Sequence, residues 1–131
     1  MKIVALICRI LLGLMFVVFG ANILHDFMHM PMPPAGSQPA IFMGLFAPTG
    51  WIKVVGVFQL VGGLLVLLGR MTPLGLCLLA PVIFNILCFH LLLGVPGILP
   101  GAVAALLEVV LIYAYRGNFA GIFSTNATPT A

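Results

Sequence analysis

The stretch "IVALICRILLGLMFVVFGANIL", residues 3–24, carries one charged side chain, Arg9. This run constrains the chain more than any other feature. About 20 predominantly apolar residues in a helix cross the hydrocarbon core of a bilayer. Three further stretches repeat the pattern: "WIKVVGVFQLVGGLLVLLG" at 51–69, "TPLGLCLLAPVIFNILCFHLLL" at 72–93 and "LPGAVAALLEVVLIYAYR" at 99–116. Lipid offers no partner to backbone N–H and C=O groups, so each stretch must satisfy its own backbone as a helix. Of the 131 residues, 63% are hydrophobic and 5% charged, against about 25% charged in ordinary soluble domains. A chain this short cannot hide so much apolar surface from water. The expected fold is an all-α integral membrane protein, a four-transmembrane-helix bundle forming a single membrane domain over residues 1–131.

Breaks fall where turn residues cluster, at "GRMTP" between the second and third spans and "GVPGILPG" between the third and fourth. A loop at 25–50 holds Pro31, Pro33, Pro34, Pro39 and Pro48. Its apolar piece "AIFMGLFA" is expected on the membrane interface or as a short helix dipping back. Residues 118–131 read as a flexible polar tail. Arg9 interrupts the first apolar run, which argues for a retained span rather than a cleaved signal peptide. With four spans both termini share one side, and Lys2, Arg9, Arg70 and Arg116 gather there while Lys53 lies opposite. The positive-inside rule then puts both termini in the cytoplasm, with the bacterial inner membrane as the expected location.

The net charge of +3 comes from singly placed cations, and no nucleic-acid module accompanies them. Cys8, Cys77 and Cys88 fall within apolar segments without a C-x-x-C pair, so they read as small buried hydrophobes.

Glu108 is the costly residue. It stands roughly 12 Å from Arg116 along the fourth helix, and Arg9 roughly 10 Å from Lys2 along the first. Matching depth suggests an Arg9–Glu108 ion pair, since intramembrane charges face the bundle interior and pair. Gln59 lies on a stripe with Gly56 and Gly63, and Asn85 on one with Pro81 and Cys88. Pro81 is expected to kink the third span. Arg9, Gln59, Asn85 and Glu108 are therefore the candidate interior polar site. The alternatives are structural contacts between helices or a small-molecule or proton site.

"HDFMH" at 25–29 resembles the H-E-x-x-H zinc pattern, with His25 and His29 four apart and Asp26 between them. A third ligand would have to come from His90. The polar end of a span meeting water accounts for the same residues, and no metal is expected.

The segments "RILLGLMFVVFG", "VGVFQLVGGLLVLLGRMTPLG" and "EVVLIYAYRG" together resemble the DoxX family of small four-span membrane proteins. The central block is the most specific: a helix ending G-G-x-x-L-x-x-G, then a short turn with a threonine. The family often has Glu where this chain has Gln59, while Arg9 and Glu108 match positions that tend to be charged. The resemblance implies an accessory subunit of a membrane redox complex, such as a terminal quinol oxidase or a thiosulfate:quinone oxidoreductase. Distant relatives imply a membrane-protein scaffold or assembly factor instead. The residues by themselves also leave open a small proton-coupled transporter built on Glu108. No cofactor motif is present, so the expectation is no independent catalytic activity and no intrinsic cofactor; the resemblance implies a quinone as the ligand. The expected partners are the lipid bilayer, oxidoreductase subunits and further copies of the chain.

Overall fold

The computed structural model describes residues 1–130. Six helices follow one another: α1 (Lys2–His25), α2 (Gln38–Phe46), α3 (Trp51–Leu68), α4 (Thr72–Leu92), α5 (Leu99–Ala114) and α6 (Arg116–Phe119). The four apolar stretches are α1, α3, α4 and α5, each within about two residues of its expected bounds. The loop piece is the helix α2. Its N-terminus is capped by Ser37, whose hydroxyl accepts from the Ala40 N–H at 3.4 Å, with Pro39 in the first turn.

Three helices are long and apolar enough to cross a membrane: α1, α3 and α4. At 16 residues, α5 is about 24 Å long, short of the full hydrocarbon thickness. It stops at Ala114 because the chain tightens at Tyr115 and re-forms as α6. The expected flexible tail therefore starts inside an ordered turn, where Phe119 is buried in the core. The final tail residue, Ala131, lies outside the described residues.

Neighbouring helices run antiparallel. α1 packs beside α3 and α5, and α4 packs beside the same two, which closes a ring. One end of the ring, here the terminal end, gathers Lys2, Gly69, Thr72 and Tyr115. The other, the loop end, gathers His25, Trp51, Leu92 and Leu99. Glycines set the closest seams. Gly13 lies against the Leu67 backbone, Gly20 against Leu60 and Gly63 against Val17 between α1 and α3, and Gly62 faces Gly75 and Leu79 between α3 and α4. In lipid there is no hydrophobic drive between helices, so close backbone approach supplies the attraction. Leu12, Val66, Leu76, Leu79 and Leu111 are fully buried inside. Large apolar residues such as Ile3, Val57, Phe84 and Leu106 are exposed outside. An apolar surface all round a bundle is what a lipid solvent requires, and the chain is an integral membrane protein.

At the loop end, Phe42 of α2 stacks on Phe46 at 4.8 Å and on Phe89 of α4 at 5.6 Å, and Phe46 meets Trp51 at 5.9 Å. This aromatic chain ties α2 to the ends of α3 and α4.

Candidate functional site

A cavity of about 280 Å³ opens in the loop-end half of the ring. Its apolar wall includes Phe16, Phe19 and Ile23 of α1, Ile86 of α4 and Ala104 of α5. Three polar residues interrupt that wall: Gln59, Asn22 and His90.

Gln59 is positioned by the α1–α3 seam. Gly20 approaches its Cβ closely, and the residue is only 4% exposed. Its amide nevertheless makes no hydrogen bond to protein among the described residues. The amide has two donors and an acceptor, and these open onto the cavity, since neither its oxygen nor its nitrogen is among the sealed side-chain atoms that lack a partner. Asn22, also buried, spends its Oδ1 on the Met28 N–H at 2.7 Å. That bond closes the end of α1, where Asp26 adopts a left-handed conformation and its N–H bonds the Asn22 carbonyl. The Nδ1 of His90 sits 2.9 Å from the Ile86 carbonyl. A carbonyl only accepts, so Nδ1 carries the proton and Nε2 is left with a free lone pair in the neutral ring. The cavity thus offers an amide and an imidazole acceptor within apolar walls, the composition of a small-molecule pocket.

The four residues expected to form one interior site do not come together. Gln59 lines the loop-end cavity. Asn85 points away from the ring: it is exposed, and its Nδ2 donates to the Pro81 carbonyl one turn back at 2.8 Å. The buried face of α4 is instead Gly75, Leu76, Leu79, Val82 and Ile83, which leaves Asn85 on the lipid side. The helix runs through Pro81 from Thr72 to Leu92.

The expected Arg9–Glu108 pair is not formed; the salt bridge present among the described residues is a different one. The reason is geometric. Helical side chains tilt toward their own N-terminus, so side chains at similar depth on antiparallel helices diverge. The Arg9 guanidinium lies against Gly69 at the C-terminal end of α3. It lines a second cavity together with Ala114 and Tyr115, six and seven residues beyond Glu108, roughly 9–10 Å along α5. Glu108 is 4% exposed, and neither carboxyl oxygen has a hydrogen-bond partner. It lies on α5 between Ala104, on the loop-end cavity, and Ala114, on the terminal-end one.

The residues weighed as metal ligands are scattered. α1 ends at His25, so His29 does not share a helical face with it. Asp26 and His29 form a solvent-facing pair at 3.6 Å, with side chains 76% and 84% exposed. His90 belongs to the cavity. Among the described residues no three His, Cys, Asp or Glu side chains are grouped to hold a metal ion. Of the cysteines, Cys8 is buried, Cys88 half-buried and Cys77 exposed on the outer face of α4, contrary to the expectation that all three are interior. Cys77 follows Leu76 and precedes Leu79 on the opposite side from that helix's buried stripe.

Sequence reasoning missed two buried polar residues. Asn22 lies inside the first apolar run and was not singled out. Thr72 is also buried, with no partner for its hydroxyl. A polar residue just inside the end of an apolar run, beside a glycine seam, is the signal that could have found both.

An integral membrane helical ring with a polar-lined cavity at one end is the class the fold and geometry define. The family model for DoxX matches residues 4–92, from α1 to the end of α4, and the chain belongs to the DoxX family. The match stops before α5, so Glu108 and the "EVVLIYAYRG" segment lie outside it. No curated protein and no solved structure matches the chain.

Proposed function

We propose that the protein is a four-span subunit of the bacterial inner membrane that presents the loop-end cavity to a quinone-type ligand, accessory to a membrane redox complex. The observation that carries this is the Gln59 amide, which faces an apolar cavity with no protein partner. The residues suit a quinone. Apolar walls match its ring and tail, the Gln59 N–H groups suit a carbonyl oxygen, and His90 Nε2 suits the hydroxyl of the reduced form. A bound quinone supplies two-electron, two-proton redox chemistry, and this chain binds and orients it. Redox centres that exchange electrons with it belong to partner subunits.

Two features support four spans with both termini cytoplasmic. α5 shares the core with the other three helices through Ala104, Leu107 and Leu111. Lys2, Arg9, Arg70 and Arg116 belong to the terminal end, against Lys53 alone at the other.

The test is purification of the tagged chain from its native membranes in mild detergent, with mass spectrometry of what comes with it. A specific oxidoreductase, whose quinone-linked activity falls in membranes carrying Gln59→Leu, is the expected result. An intact chain with no specific companion defeats the accessory role.

A second reading is favoured by Glu108. A buried carboxyl with both oxygens unpartnered, placed between two cavities, suits a proton-coupled transporter. Uptake that depends on pH and is lost in Glu108→Gln would favour that reading over the first.

A further inference from the structure

At the terminal end, a cavity of about 370 Å³ lies between the start of α1 and the end of α5, lined by Lys2, Ala5, Leu6, Arg9, Ala114 and Tyr115. Its charge is one-sided. Lys2 and Arg9 both face it, and neither of the chain's two acids lines it: Asp26 is at the opposite end and Glu108 is further up α5. Lys2 and Arg9 are seven residues apart on one face of α1, roughly 10 Å along the axis. Arg9 makes no hydrogen bond to protein among the described residues. Its Nε is buried without a partner, and the rest of the guanidinium rests on Gly69 beside α3's end. Arg116, the next cation along, is committed elsewhere: it stacks over the Tyr113 ring at 4.5 Å and donates to the Tyr113 carbonyl at 3.0 Å.

A guanidinium with five donors and no acceptor, set among apolar residues one helical stretch below the cationic end of a span, lacks an oxygen-rich anion. We propose that this cavity binds the phosphate of an anionic phospholipid. The fork geometry of Arg9 matches phosphate oxygens. Lys2 adds a second positive charge nearer the surface. The positive end of the α1 dipole, whose N–H groups no side chain caps, is offset by the C-terminal ends of α5 and α3 beside the same cavity, so the two side-chain cations carry the attraction. A lipid rather than a free phosphate is the source because the cavity's neighbours on α1, Ile3, Leu6 and Ile7, are exposed on the lipid-facing surface. An acyl chain can lie along that surface while the headgroup turns in. Basic pockets between membrane helices hold anionic headgroups in this way. The proposal is independent of the quinone reading, since it uses the other end of the ring and none of its residues.

The test is native mass spectrometry of the full chain in mild detergent with added lipid. Phosphatidylglycerol is compared with phosphatidylcholine, and glycerol 3-phosphate serves as a soluble probe. Retention of phosphatidylglycerol over phosphatidylcholine is expected. Lys2→Gln should weaken it about fivefold, the effect of one cation near the surface. Arg9→Gln should weaken it more, and Arg9→Lys should recover part of the loss. Lys2 is exposed at the end of the helix, so its variant carries the test even if Arg9→Gln fails to fold. Equal retention of the two lipids, or undiminished phosphatidylglycerol binding in Lys2→Gln or in folded Arg9→Gln, would overturn the proposal. So would glycerol 3-phosphate binding as tightly as the lipid, which would make this a site for soluble phosphate.

Discussion

The seam between α1 and α3 places Gln59, and it has almost no spare room. A methyl group added at Gly20 would sit 2.7 Å from the Leu60 backbone nitrogen and 2.9 Å from the Gly56 carbonyl oxygen. Both obstacles are backbone, so no side chain can swing away. Ordinary contact begins near 3.4 Å, and the two helices must part by several tenths of an ångström at that point. A gap of 0.5–1 Å forfeits a quarter to a half of each contact's ~0.1–0.2 kcal/mol, so about twenty atom pairs along the seam lose roughly 1 kcal/mol. Residual strain brings the cost of Gly20→Ala to about 1–3 kcal/mol, the range for overpacking a tight core. The assay is unfolding in mixed micelles with increasing sodium dodecyl sulfate, followed by helix content. Gly44→Ala in α2, where an added carbon meets nothing within 4 Å, serves as the control and should be neutral or slightly stabilising, because alanine favours helix over glycine. If Gly20→Ala unfolds within about 0.5 kcal/mol of the parent, the close-packed seam is refuted, since that margin is what an indifferent surface change produces.

Three further outcomes are expected. Glu108→Met should leave the fold intact and stabilise it by about 1 kcal/mol or more in the same titration, because it replaces an unpartnered buried carboxyl by an apolar group of similar length; destabilisation would reveal a partner for the carboxyl. Asn85→Ala should change stability by no more than about 0.5 kcal/mol and leave ligand binding at the cavity untouched, because its amide bonds only to its own helix. Gly69→Ala should cost about 1–2 kcal/mol, because the residue holds φ at +70°, where other L-residues are strained. It should also weaken retention of phosphatidylglycerol in native mass spectra, because the new carbon would occupy the place of the Arg9 guanidinium.

The spans were legible because lipid imposes a requirement of length and apolarity that α1, α3 and α4 meet, that the apolar but shorter α5 approaches, and that the Pro-rich loop does not. Their inward faces were much less legible. In water a helix shows its buried face by contrast with polar neighbours. In α4 both faces are apolar, so Asn85 looked like an inward marker when the buried stripe is Gly75, Leu76, Leu79, Val82 and Ile83. The glycines proved the better guide. Gly56 and Gly63 share the stripe that carries Gln59, and that residue is the one member of the expected site that lines the loop-end cavity. Depth arithmetic placed Arg9 and Glu108 level along their axes but ignored the tilt of side chains toward the helix N-terminus, which carries them apart on antiparallel helices. His90 was weighed as a third metal ligand because it falls at the same end of the bundle as His25 and His29, a placement visible in a sequence, whereas its bond to the Ile86 carbonyl is not.

The central claim is that the loop-end cavity binds a small apolar ligand through Gln59, and titration of the purified chain with a short-chain quinone tests it most directly. The account predicts saturable binding to the parent, weakened about tenfold or more in Gln59→Leu, the loss of roughly one buried hydrogen bond. Binding that is absent in the well-folded parent, or equal in parent and variant, would contradict it.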